Sequence, residues 1–135
     1  MASATIPEFL SVEEYLSAEG DSFSKSEYIE GWIRAMVGST IRDNLVKRNC
    51  LVLVSRLLKG LPSQPFDSDT KLRIRREGRT RFYYPDLQVV CESNPQSYVF
   101  QDSPVLVVEI LSPSTRQVDL DEKMQAYLEI PTLQY

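Results

Sequence analysis

Histidine is absent from the 135 residues, and its absence removes several chemistries at once. Ser-His-Asp and Cys-His nucleophiles, His-ligated zinc and hydrolases with a His general base are all excluded. A metal ion in this chain must be held by oxygen, which means Mg²⁺, Mn²⁺ or Ca²⁺. Cysteine is scarce. The two present, Cys50 and Cys91, sit in the apolar runs Cys50-Leu-Val-Leu-Val and Val89-Val90-Cys91, which suits free, buried thiols in a reducing compartment better than a bridge. Long apolar runs are also missing: residues 49–55 form the longest uncharged one, far short of the roughly 20 residues a bilayer requires. No charged-then-apolar leader opens the chain. The expectation is a cytoplasmic protein with no membrane segment.

What is present fits one domain over residues 1–135, because 42% hydrophobic content at this length supplies a core without disulfide or metal staples. The net charge is −4 but unevenly spread: residues 42–81 hold eleven basic side chains against four acidic ones, leaving −11 for the remainder. A protein that meets a polyanion needs a basic face rather than a basic total. The bland reading is a solvated hairpin and helix whose charges serve solubility.

Local patterns outline the elements. Ser11-Val-Glu-Glu14 matches a capping box ahead of a short helix over 12–18, ended by Gly20-Asp21. Tyr28-Ile29 and Trp32-Ile-Arg-Ala-Met-Val37 flank Glu30-Gly31 as a hairpin. Residues 40–59 place Ile41, Leu45, Val46, Val52, Leu53, Leu57 and Leu58 at helical spacing, predicting the principal amphipathic helix, stopped by Gly60, Pro62 and Pro65. A second hairpin over 66–75 and 81–91 turns at Glu77-Gly78. Pro104-Val-Leu-Val-Val-Glu-Ile-Leu111 is continuous enough for a central strand covered on both faces. Ser112-Pro-Ser-Thr115 reads as a capping loop, and 116–129 as a helix ended by Pro131. The order predicts an α/β (α+β) fold: a mixed sheet flanked by helices.

The segment 85–123 carries the chemistry. Tyr84-Pro85-Asp86 opens a strand, and Glu109 interrupts the apolar face formed by Val105, Val107 and Leu111, where an unpaired charge would cost several kcal/mol. Glu109 therefore needs a partner, or lies where the strand emerges into solvent. Lys123 follows Asp119 by four residues, which alone reads as a helix-surface salt pair. Two acids on neighbouring strands and a lysine within reach are what Mg²⁺-dependent phosphodiester cleavage requires, since the developing charge must be neutralised and a water activated.

Together, Glu27-Tyr-Ile-Glu-Gly31, Ile41-Arg-Asp-Asn44, Asp69-Thr-Lys-Leu-Arg-Ile74, Tyr83-Tyr-Pro-Asp86, Val107-Val-Glu-Ile-Leu-Ser-Pro-Ser-Thr115, Asp119, Lys123 and Tyr127 resemble the PD-(D/E)XK nuclease superfamily. Within it, the chain is most similar to a large bacterial branch of restriction-endonuclease-like proteins. The resemblance implies a metal-dependent endonuclease hydrolysing DNA, with Asp86 and Glu109 binding Mg²⁺ (or Mn²⁺), Lys123 orienting or activating the attacking water, and Glu27 assisting, with Glu30 as a nearby substitute. The superfamily lysine two residues after the second acid is Leu111 here, and Lys123 matches the position to which this branch shifts it. Asp43 stands where the branch often has histidine. Relatives continue past Tyr135, so the resemblance implies a C-terminally short domain, with residues 130–135 as the lead-in to a further strand whose absence leaves an edge that a homodimer would cover. Arg73, Arg75, Arg79 and Arg81 are the expected phosphate contacts to DNA. Two other classes stay open: a catalytically inactive nucleic-acid-binding or regulatory module of the same fold, and a structural subunit whose acids are salt-bridge partners.

Overall fold

The computed structural model describes residues 5–6 and 9–135. Two sheets carry the strands, β1 (Thr5–Ile6), β2 (Ser26–Ile29), β3 (Trp32–Ala35), β4 (Gln64–Asp67), β5 (Lys71–Arg76), β6 (Arg79–Tyr83), β7 (Leu87–Val90), β8 (Phe100–Gln101) and β9 (Pro104–Val108). The larger has the order β1-β3-β2-β6-β5-β8 and the smaller β4-β7-β9. The parallel pairing of β5 with β8 makes the larger sheet mixed, its other pairs being antiparallel. This is the mixed α/β architecture flanked by helices that the sequence predicts.

Short-range signals act as read. Helix α1 (Val12–Gly20) starts at a complete capping box: Glu14 N–H donates to Ser11 Oγ at 3.1 Å and Ser11 N–H to Glu14 Oε1 at 2.9 Å. The β2–β3 hairpin turns through Glu30 and Gly31, both at positive φ (52° and 105°), the backbone a two-residue turn of this hand needs. Gly31 is required for a second reason, because a Cβ there would sit 2.6 Å from a Phe9 ring carbon. Glu77 and Gly78 (φ 52° and 79°) repeat the turn between β5 and β6.

Longer-range placement departs from expectation in four ways. The arms of the second hairpin do not extend to Phe66 and Cys91: β4 and β7 leave it and pair with each other in the smaller sheet. Pro85, which has no N–H for the ladder, stands where the chain passes from β6 to β7 and so from one sheet to the other. The centre of the smaller sheet is β7, buried throughout, whereas β9 is an edge strand that is mostly half-buried. Residues 134–135 lie along that edge, with Gln134 and Tyr135 N–H donating to Val105 O (2.9 and 3.1 Å) and Val107 N–H to Tyr135 O (3.2 Å). The segment read as the lead-in to a strand thus itself pairs with β9.

The third departure is α2 (Ile41–Leu57), N-capped by the Thr40 hydroxyl. Six of its seven expected core residues are exposed, Ile41 at 82% and Leu57 at 69% among them. The half-buried stripe is instead Asp43, Lys47, Cys50, Leu51, Val54 and Leu58. Helical spacing fixed the element but not its inner face, because apolar residues occupy several faces and neighbouring elements choose among them. Fourth, Cys91 is exposed rather than buried; both thiols are free, as expected.

The core has two parts, one on each face of the larger sheet. Tyr15 of α1 packs on Tyr28 and Phe82. On the other face Leu72, Ile74 and Tyr83 meet Ala126, Tyr127 and Ile130. The latter group belongs to the C-terminal helical segment, which is α3 (Arg116–Val118), a π-helical turn (Asp119–Lys123) and α4 (Met124–Tyr127) rather than one regular helix. The Ser112 and Thr115 hydroxyls bond each other at 2.8 Å, and Thr115 makes no side-chain cap. The loop reverses the chain without capping the helix.

Candidate active site

The register of the smaller sheet brings the two acids together. Leu87 faces Val108 in the antiparallel β7–β9 ladder, so the next pair outward is Asp86 and Glu109. Here the side chains take over from the backbone. Asp86 N–H donates to Glu109 Oε1 at 3.2 Å, and Ile110 N–H donates to Asp86 Oδ2 at 2.7 Å. Each carboxylate is fixed by main chain beside the other, and Asp86 Oδ1 is left for other work.

The helical segment delivers the cation. Its π turn inserts one residue, rotating the residues C-terminal to it by about 100° relative to a continuous α-helix. Asp119, Lys123 and Tyr127 then share the side that meets the sheets. Lys123 Nζ lies 2.8 Å from Glu27 Oε2, 3.4 Å from Asp119 Oδ1 and 3.6 Å from Glu109 Oε2. Tyr127 donates its O–H to Glu109 Oε2 at 2.5 Å. The expected surface salt pair is therefore wrong in kind, since Asp119 and Lys123 are both 6% exposed. The chain reverses from β9 into the helical segment through Ser112–Thr115, and Lys123 comes within 3.6 Å of Glu109.

Electrostatics give these groups different characters. Burial pushes the Glu109 carboxyl up to about 7, against the opposing pull of Lys123 and the Tyr127 hydrogen bond. Burial works against the Lys123 ammonium too, but Glu109, Glu27 and Asp119 outweigh it and raise its pKa above the ordinary lysine value. Lys123 is thus held as a buried cation among three carboxylates. Glu27, on β2 directly opposite Arg34 of β3, accepts from Arg34 Nε at 2.9 Å, and Arg34 also holds Glu122 through two bonds of 2.9 Å. Tyr83 donates to the same Glu122 at 2.7 Å.

Asp86, Glu109, Asp119 and Lys123 line one cavity of about 360 Å³, whose lining also includes Lys25, Asp43, Lys47, Ser68, Tyr84 and the chain entering α2 at Gly38-Ser39. Lys47 Nζ donates to Ser68 Oγ at 3.0 Å and Lys25 Nζ to Ser68 O at 2.8 Å. The lining thus combines four carboxylates, those of Asp43, Asp86, Glu109 and Asp119, with three lysines. The four arginines expected to meet DNA lie elsewhere. Arg73 is locked to Asp102 by bonds of 2.7 and 2.9 Å, and Arg81 to Glu30 at 2.7 Å. Arg79 and Arg81 line a second pocket with Glu30 and Glu129. Glu30 is engaged there, so Glu27 alone of the two glutamates reaches the Lys123 cluster.

A family model described as "Uma2: Putative restriction endonuclease" matches residues 12–135. The chain belongs to this family. Two uncharacterized proteins of Synechocystis sp. (strain ATCC 27184 / PCC 6803 / Kazusa) are similar to it: slr1290 at 35% identity, covering 98% of this chain and 68% of the relative, and sll1609 at 30%, covering 93% and 71%. Membership of Uma2 accords with the restriction-endonuclease-like fold and a nuclease class, and such families generally use divalent metals. No helix among the described residues is long and apolar enough to cross a membrane.

The donor set of this Uma2 site suits a hard divalent cation. Among the described residues no group of three or more His, Cys, Asp and Glu side chains has metal-holding geometry, but Mg²⁺ is commonly held by one or two carboxylates, with water and substrate phosphates completing the shell. Asp86 and Glu109 supply two oxygen-donor groups side by side. Glu27 Oε2 and Asp119 Oδ1 are buried, and the charged group beside each is the Lys123 ammonium, at 2.8 and 3.4 Å. Three carboxylates, those of Glu27, Glu109 and Asp119, surround the Lys123 ammonium, and Arg34 is shared with Glu122. Arg34 and Glu122 are supporting residues that had no place in the sequence reading, whereas Asp119 and Tyr127 stood among the residues that carry the resemblance, Asp119 only as the salt-pair partner of Lys123. The available signal was Asp119-x-x-x-Lys123-x-x-x-Tyr127, polar groups recurring every four residues on the face of a helix that otherwise packs against the core.

Proposed function

We propose that the chain is a metal-dependent endonuclease that hydrolyses DNA phosphodiester bonds. The observation that carries this reading is the reciprocal fixing of Asp86 and Glu109 at the end of the β7–β9 ladder, with the Lys123 ammonium 3.6 Å from Glu109. Asp86 and Glu109 would hold Mg²⁺ or Mn²⁺, which when bound neutralises charge on a phosphodiester and acidifies water. The chain's own residues do the rest. Lys123 faces the developing negative charge from a dry site, where a fixed cation acts more strongly than in water. Glu27, itself held by Arg34, keeps Lys123 in place from the side of the larger sheet. Lys47, which also lines the cavity, would meet a phosphate flanking the scissile one, which needs cations but no base reading, while Lys25 beside it is paired with Asp69 at 2.6 Å. Arg75, exposed on the β5–β6 hairpin, is available for more distant backbone contacts, as is Arg79 beyond its 3.7 Å pairing with Glu30, whereas Arg73 and Arg81 are held more closely by Asp102 and Glu30.

The test is conversion of supercoiled plasmid with Mg²⁺ or Mn²⁺, run beside Asp86→Ala to exclude a contaminating nuclease. The wild type is expected to cut and the variant to be silent. Nicked product alone would indicate one strand cut per encounter, and linear product a paired, dimeric action. Salt-sensitive DNA binding without any cutting would refute the enzymatic reading and leave the inactive binding module.

A further inference from the structure

Tyr127 carries a hydroxyl that its packing does not need. The ring stands in the core among Leu72, Ile74, Tyr83, Ala126 and Ile130, 7% exposed, and meets the Tyr83 ring edge-on with centroids 5.8 Å apart. Phenylalanine would fill that place equally well and would bury no polar oxygen, which costs free energy unless it is bonded. Among the described residues the hydroxyl makes one hydrogen bond, to Glu109 Oε2 at 2.5 Å. Glu109 lines the cavity and Tyr127 does not, so the hydroxyl reaches whatever enters the cavity only through that carboxylate. A second donor stands close to the same oxygen. The Lys123 ammonium lies 3.6 Å from Glu109 Oε2 and 2.8 Å from Glu27 Oε2. A bonded ammonium–carboxylate contact is roughly 2.7–2.9 Å, so Lys123 is bonded to Glu27 and stops short of Glu109. A neutral donor holds the oxygen that the cation would otherwise take.

We propose that Tyr127 is a positioning residue: its hydroxyl keeps Glu109 off the Lys123 ammonium, and so keeps this carboxylate presented to the divalent cation. This deepens the nuclease reading and rests on its assignment of Glu109 as an ion ligand. Asp86 N–H donates to Oε1 at 3.2 Å, so both oxygens of Glu109 are fixed by neutral donors and the carboxylate keeps its charge for the ion. Lys123 closes the π turn and Tyr127 ends α4 one turn later, which brings the cation and the hydroxyl to the same oxygen together. Without the hydroxyl, Oε2 is a buried anionic oxygen short of a donor, and Lys123 is the cation beside it. A movement of about 1 Å closes that pair. A divalent cation then has to break an ammonium–carboxylate contact in a dry site, where such contacts are strong. Removing a group that orients a metal-ligating side chain typically weakens ion binding by about 10- to 100-fold.

The test is Mn²⁺ binding, read from the electron paramagnetic resonance signal of the free ion, in four forms: wild type, Tyr127→Phe, Lys123→Met and the two combined. Circular dichroism sets a temperature at which all four are folded, so that lost stability is not counted as lost affinity. Tyr127→Phe is expected to weaken Mn²⁺ binding about 10-fold or more. In the Lys123→Met background the same change is expected to alter it by less than about threefold, because no ammonium is there to take Glu109. A hydroxyl that only braces the core would lower the thermal midpoint and leave the Mn²⁺ dissociation constant unmoved. Binding by Tyr127→Phe within about threefold of the wild type therefore overturns the proposal and leaves the nuclease reading intact. An equal loss in both backgrounds also overturns it, since the hydroxyl would then act independently of Lys123. A wild type that binds no Mn²⁺ removes the metal-dependent reading and the proposal together, whether or not plasmid is cut.

Discussion

Replacing Lys123 with methionine keeps most of the side-chain volume and removes the charge on which three carboxylates depend. Glu27, Asp119 and Glu109 each have an oxygen within 3.6 Å of the ammonium, and the Tyr83 ring below it, 5.5 Å from Nζ, offers no substitute. Removing one partner of a buried ion pair costs about 3–5 kcal/mol, because the remaining charge stays buried without compensation. At this chain length 1 kcal/mol moves the thermal midpoint by roughly 3–5 °C. Lys123→Met is therefore expected to melt about 10 °C or more below the wild type when metal-free. A bound ion shifts the variant in the opposite direction. With the ammonium gone, a divalent cation at Asp86 and Glu109 relieves more repulsion, so the Mn²⁺-induced rise should exceed that of the wild type; ion at 100 times its dissociation constant supplies about 2.7 kcal/mol by mass action. Calorimetry with and without Mn²⁺ reads both quantities. A metal-free drop under about 3 °C, or a Mn²⁺ response smaller than in the wild type, would refute the view that Lys123 neutralises a buried acidic cluster.

Arg34→Met bares Glu27 Oε1 and Glu122 Oε1 and leaves Glu122 Oε2 to Tyr83 alone, and urea denaturation should register a loss of about 3 kcal/mol; a loss under about 1 kcal/mol would mean that the network is solvated and weak. For Asp102, burial opposes ionisation, but the hydrogen bonds from Arg73 and Asn94 outweigh it and hold the carboxyl below its usual range. A depressed folded pKa means stability that is present above the unfolded value of about 3.9 and lost as pH falls through the folded one. Asp102→Asn should then flatten the acid limb of the stability curve, and an unchanged limb would count against the Arg73 pairing. Leu53 is more than half exposed on α2, so Leu53→Ser should change stability by no more than about 0.5 kcal/mol. A loss above about 2 kcal/mol would restore the amphipathic pattern as the guide to the buried face.

The features legible in the sequence are those decided within a few residues. Ser11 and Glu14 cap α1 across three positions, and Glu30-Gly31 and Glu77-Gly78 turn their hairpins because the turn needs positive φ at those residues and nowhere else. The acid pair was legible as residue types in strand contexts. Its contact was not, because it depends on the register of β7 against β9 and on the chain changing sheets at Pro85. The partners of the basic hairpin were equally hidden: Arg73 finds Asp102 across 29 residues and Arg81 finds Glu30 across 51. A charge count records how many cations a segment has, but not which are already taken.

The sequence by itself therefore determined the element types, the turns, the chemistry excluded by the absence of histidine, and the candidates Asp86, Glu109, Lys123 and Glu27. Tertiary structure alone decided that β9 lies at an edge, that α2 turns six apolar side chains to solvent, and that Asp119 and Lys123 are buried together. The physical reason is range. Caps and turns are fixed by bonds between near neighbours, whereas burial and ion pairing are fixed by whatever distant segment packs against a residue. The π turn at Asp119–Lys123 belongs to the second kind: it is the packing of the helix against both sheets that rotates Lys123 toward Glu109.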